Sequence, residues 1–175
     1  MIGDYLKNLL KVLGFAAAFA ALPLIAAFAD LQPPWPPAIG YVSAGLVMLA
    51  GLIVWEWTRR TKVRSRRTWI VVAAVLTVIG LGGYLTLYSL FVEPAPGAHM
   101  RVVRGFVCTA DALKVYGDAC PDLPREALAG AEWEAVKLWT RGSLTLARLG
   151  LAGAWMVFMT GWIAALGAVI AGRKV

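Results

Sequence analysis

Four stretches of this chain, about residues 9–29, 38–57, 69–92 and 144–171, are each roughly twenty residues or longer and carry no more than one charge apiece. At ~1.5 Å of rise per residue, a helix of that length crosses the ~30 Å hydrocarbon core of a bilayer. Such runs leave few folding alternatives, because backbone in lipid must satisfy its hydrogen bonds within its own segment. Composition agrees. Of the 175 residues 60% are apolar and 15% charged, whereas about a quarter of a soluble domain is charged. The expected fold is all-α, a four-transmembrane-helix bundle forming a single membrane domain over 1–175.

The placement of charge sets the expected topology. Six of the 17 basic residues, Arg59, Arg60, Lys62, Arg64, Arg66 and Arg67, fall within nine positions between the second and third stretches. So short a loop has no fold around it with which to read nucleic acid. It matches the basic cytoplasmic loops of membrane proteins, and can also attract anionic headgroups or a partner. From Glu93 to Arg148, by contrast, seven acidic residues balance seven basic ones. The N-terminal segment, the basic loop and the C-terminus together hold ten bases against Asp4 and Glu56. Both termini and the basic loop are therefore expected in the cytoplasm, and 93–143 outside, as in a multi-pass protein of a bacterial inner membrane.

Tryptophans mark the expected interfaces. Trp55, Trp57 and Trp69 flank the arginine cluster, and Trp35 lies among Pro33, Pro34, Pro36 and Pro37, which cannot be helical. Lys7 and Lys11, an apolar run and Ala27-Phe28-Ala29 also fit a cleavable secretory signal. Either way, the residues after Ala29 start outside the cytoplasm. Small residues should form the helix contacts. These are Gly80, Gly82 and Gly83 in the third span, and Gly161, Ala164, Ala165, Ala168 and Gly172 at four-residue spacings in the fourth. They favour close packing within one chain or between copies.

The only cysteines, Cys108 and Cys120, both fall in the external loop. An even count in an oxidising compartment implies a disulfide. Around it the sequence predicts a short strand within 100–108 and a helix over about 110–116, capped by Thr109 and stopped by Gly117. A second helix is expected to begin near Cys120-Pro121 with Asp122 as its cap, and an amphipathic stretch over 132–139 to turn Trp133, Val136 and Trp139 towards the membrane or the loop core. The result would be a small disulfide-stapled cap between the third and fourth spans. In topology and length this resembles the quinone-linked disulfide oxidases of the DsbB family. That family needs a further C-x-x-C pair in the first external loop, where this chain reads Leu31-Gln32-Pro33-Pro34-Trp35-Pro36-Pro37. The pair here is therefore read as structural.

Chemistry is excluded more clearly than it is assigned. No Asp, Glu, Lys or His lies near the centre of a span, and the one histidine, His99, has no ligand cluster about it. Proton relays and ion-coupled transport need such groups. No nucleophile–base constellation and no phosphate loop is visible, so no catalytic residue, metal or cofactor is expected and the chain reads as a non-enzyme. The expected function is an oligomeric pore or membrane-perturbing effector. In general character it resembles the compact multi-span effectors of bacterial stress and anti-phage systems. The alternative is an accessory or sensor subunit of a larger membrane complex, docking through its external cap or its basic loop. The expected partners are the lipid bilayer and either further copies of the chain or another membrane protein.

Overall fold

The computed structural model describes residues 14, 23, 25, 26, 31–60, 63–96 and 101–170. In chain order these form α1 (Ile39–Arg60), α2 (Val63–Phe91), β1 (Val92–Pro94), β2 (Arg101–Val103), α3 (Ala110–Tyr116), a single 3₁₀ turn (Gly117–Ala119), α4 (Arg125–Gly130), α5 (Ala135–Leu138) and α6 (Arg141–Ile170). The described chain is mostly helical. Two helices are long and apolar enough to cross a membrane, Ser65–Phe91 within α2 and Arg141–Val169 within α6; the apolar part of α1, Ile39–Val54, is shorter. The first expected span, 9–29, lies outside the described residues apart from isolated positions.

Contacts divide the chain into two units. One comprises residues 1–32, 37–83 and 154–175, the other 33–36 and 84–153. In the first, α1 starts after the prolines, with Val42 N–H donating to the Ala38 carbonyl at 3.0 Å. Buried Ile39, Ser43, Val47 and Gly51 recur every fourth position and so form one stripe. Buried Ala73, Thr77 and Gly80, three or four apart, form one on α2, and Trp155, Met159 and Ile163 on α6. Both α1 and α2 run beyond the expected apolar stretches into the arginine cluster. The cluster is therefore largely helical rather than an open loop, since arginine is a good helix former.

The second unit has its own core, in which Leu123, Ala127, Leu128, Leu138, Trp139 and Leu144 are all buried. The expected strand is β2, paired antiparallel with β1 so that Val103 faces Val92 and Arg101 faces Pro94. Helix α3 has the expected limits. The Thr109 hydroxyl accepts from Ala112 N–H at 3.2 Å, and Gly117, at φ +44°, closes the helix with its N–H on the Leu113 carbonyl. That positive φ is where glycine costs least.

Two expectations need correction. Asp122 caps no helix: α4 begins at Arg125, with Pro124 as its N-cap and no side-chain cap bond. Leu123 precedes a proline, which disfavours helical backbone, so the chain stays extended until Pro124 is passed. Nor is 132–139 one amphipathic helix. Glu132 and Trp133 take φ values of +58° and +63°, which break the segment and leave only Ala135–Leu138 helical. Trp139 is fully buried, Trp133 partly so, and Val136 is exposed.

The cysteines form the expected disulfide, Cys108–Cys120, across a sequence separation of 12. Cys108 also bridges Trp139 in antiparallel fashion. Thr109 N–H donates to the Leu138 carbonyl and Thr140 N–H to that of Val107, each at 2.9 Å. The covalent link therefore closes a unit already stitched by backbone bonds. Replacing both cysteines by serine is expected to lower the stability of this unit by roughly 3 kcal/mol on the loop-entropy account. Proteolytic susceptibility of 93–143 under oxidising conditions, compared between the two proteins, checks it.

Candidate functional site

In the first unit, α6 contacts both α1 and α2. The Trp155 indole N–H donates to Ser43 Oγ of α1 at 3.1 Å, and the Ser43 hydroxyl donates onward to the Ile39 carbonyl. Against α2 the approach is closer. A Cβ placed on Gly80 would strike the Phe158 backbone and lie 3.0 Å from Val157 C. One on Gly161 would lie 2.9 Å from Thr77 N and 3.0 Å from its Oγ1. These glycines are close-contact positions in the sense that small residues at helix crossings provide.

The remaining small residues are used unevenly. Among the described residues a Cβ on Gly83 would meet the Ala154 Cβ at 4.0 Å, and one on Gly82 would meet none within 4 Å. Ala168 is buried, whereas Ala164 and Ala165 are half-buried. Gly172 lies outside the described residues.

Near the arginine cluster α1, α2 and α6 leave an apolar groove. One part, of about 140 Å³, is lined by Ile53, Val54, Trp57, Arg66, Trp69 and Ala168 among others. An adjoining part, of about 290 Å³, reaches Leu76, Thr160 and Gly161. Trp57 and Trp69 contact each other with ring centroids 4.7 Å apart. The groove thus brings together two sets of residues that the sequence marked for separate reasons, the interface tryptophans and the small-residue face of α6. Of the basic cluster, Arg66 is half-buried at the groove and Arg67 exposed. The backbone of Arg59, Arg60 and Arg64 is helical, while Lys62 and the side chains of Arg59, Arg60, Arg64 and Trp55 lie outside what is described.

Hydroxyls along the helices are committed locally. Thr77 donates to the Ala73 carbonyl at 2.8 Å, Thr160 to that of Met156 at 2.7 Å, and Ser89 to that of Thr86 at 2.9 Å. This is the usual fate of hydroxyls on apolar helices. Among the described residues no group of three or more His, Cys, Asp or Glu side chains is placed to hold a metal ion; His99 lies outside them.

In the second unit, charge pairs lie on the surface. Lys137 meets Glu132 at 2.8 Å and Glu134 at 3.2 Å. The hydrogen bond from Lys137, reinforced by its charge, holds the Glu132 carboxyl below the usual range. Arg104 pairs with Glu93 at 3.0 Å in a more enclosed position. Trp35 is partly exposed in this unit.

Sequence reading missed three features here: the Ser43–Trp155 bond, the groove, and the tight seat of Gly105. A Cβ on Gly105 would strike Ser143 Oγ and come within 2.6 Å of the Trp139 Cβ. No family model, curated protein or solved structure matches the chain.

Proposed function

We propose that the chain is a four-span protein of the bacterial inner membrane, with both termini cytoplasmic, whose copies assemble into a pore or membrane-perturbing effector. The observation that carries this reading is the outward face of α2. Ala73, Thr77 and Gly80 pack inward, while Val75, Ile79 and Gly82 are exposed about half a turn away around the helix. Exposed Thr86 and Ser89 follow at the same helical spacing. Lipid alone asks nothing of such a face beyond being apolar. A small residue on an exposed apolar face, followed by two hydroxyl-bearing residues, suits a second helix or a narrow aqueous path.

Liposomes loaded with a self-quenching dye test the proposal. The protein is expected to release the dye. Gly82→Leu is expected to abolish release without lowering thermal stability, because a Cβ added there meets no described residue within 4 Å. Intact liposomes containing correctly folded protein would contradict it.

The groove beside Arg66, Trp57 and Trp69 favours a second reading, an accessory or sensor subunit that docks another membrane protein near its basic segment. That reading expects a stable foreign partner and no dye release.

A further inference from the structure

The groove beside Arg66 has a definite length and a closed end. On α2 its described lining runs from Arg66 to Leu76. Those ten residues span about 15 Å of helix at ~1.5 Å each. That is half of a ~30 Å hydrocarbon core, the depth of one leaflet. The groove stops where α2 and α6 close up, a Cβ on Gly161 lying 2.9 Å from Thr77 N. Towards the arginine cluster α6 approaches α1 instead, where a Cβ on Gly167 would come 3.1 Å from Val54 Cγ1. Between these two approaches the lining includes Ala73, Ala164 and Ala168. Side chains that short leave the space open.

Polarity changes along this length. At the closed end the Thr160 hydroxyl is committed to the Met156 carbonyl at 2.7 Å, so an occupant there needs only to be apolar. Arg66 is the one charged residue among the described lining residues, and it stands at the other end with Trp57 and Trp69. Both indoles are about half exposed, as tryptophans anchored at a membrane interface are.

The segment at that open end is positive whatever pairs form within it. Residues 55–69 hold six bases and a single acid, Glu56. One carboxylate cannot neutralise six bases, whichever of them it meets. An apolar channel one leaflet deep therefore opens on a basic segment at its interfacial end, and an amphiphile with a long apolar chain and an anionic head has the same order of parts.

We propose that this groove seats an acyl chain of one anionic phospholipid, with the phosphate on Arg66, the ester region beside Trp57 and Trp69, and the chain over Ala73 and Ala164 towards Leu76. Half-buried Arg66 suits the head, because an arginine stem lies against apolar surface while its planar fork takes phosphate oxygens bidentately. A partner helix, about 10–12 Å across with its side chains, is too wide to enter and would lay only side chains into the groove. Diffuse attraction of a basic segment to anionic headgroups needs no groove; the site retains a single lipid. It rests on the membrane placement of the first unit and not on the pore.

Native mass spectrometry of the full chain tests it. The protein is stripped of lipid in a non-ionic detergent and offered phosphatidylglycerol and phosphatidylcholine of one chain length in equal amounts. One phosphatidylglycerol per chain is expected to be retained in preference to phosphatidylcholine. Ala164→Leu fills the groove and should lose the retained lipid. Arg66→Gln leaves the groove open and should lower the preference for phosphatidylglycerol roughly 10-fold, as loss of a charged hydrogen bond does. Arg67→Gln removes an exposed base outside the described lining and should keep the preference. Equal losses from Arg66→Gln and Arg67→Gln would mean diffuse attraction alone and overturn the proposal. So would a preference that survives both Ala164→Leu and Arg66→Gln; should Ala164→Leu not fold, the two arginine variants decide. Protein that needs detergent yet retains neither lipid preferentially overturns this proposal alone. Protein that stays dispersed without detergent overturns the membrane placement, and this proposal with it.

Discussion

Trp139→Ala is expected to destabilise the second unit by about 3–5 kcal/mol, the range for removing a large aromatic side chain from a core. The indole is fully buried, and its N–H donates to the Pro121 carbonyl at 3.2 Å. Its backbone bridges Cys108, so the ring lies where the disulfide, α5 and the start of α6 meet. Truncation leaves a cavity and an acceptor without its donor. The disulfide remains, and the unit should loosen rather than come apart. Near-ultraviolet circular dichroism together with timed proteolysis of 93–143 measures the effect. A variant as protease-resistant as the parent would mean that the core is organised elsewhere.

The second large effect is expected at Gly80. Even alanine there meets the Phe158 backbone, with the Phe158 Cα only 2.7 Å from the new Cβ. Main chain cannot rotate away as a side-chain tip can. The helices must separate, and overpacking of this kind costs ~1–3 kcal/mol, sometimes more. Leucine should be worse. Gly82→Ala is the matched control, because a Cβ there meets no described residue within 4 Å. Its helix propensity should change stability by at most about 1 kcal/mol, and favourably. Unfolding in mixed detergent micelles ranks the three. Equal losses at Gly80 and Gly82 would contradict the close approach of α2 and α6.

That pair of glycines shows where sequence reading stops. Gly80 and Gly82 are equivalent as letters in an apolar run. They differ by about 200° around the helix, and only the position of Phe158 decides which one is indispensable. Signals contained within a few residues were readable instead. Thr109 and Gly117 bracket α3 because a hydroxyl cap and a positive-φ glycine act within one turn. The disulfide followed from a count of two in one loop.

Competing local signals misled. Asp122 resembles a helix cap, but Pro124 constrains Leu123 and delays α4 to Arg125. The break at Glu132 and Trp133 carries no glycine to announce it, so the segment read as one continuous amphipathic stretch. The groove was beyond local reading, because it is lined by residues distant in the chain.

The most direct test of the central claim is the mass of the protein assembly in mild detergent, corrected for bound detergent. The account predicts a discrete homo-oligomer large enough to enclose a path, and predicts that Gly82→Leu falls back to smaller species while remaining folded. A folded monomer, or a stable complex with one other polypeptide, would contradict the assembly reading and direct attention to the docking groove beside Arg66.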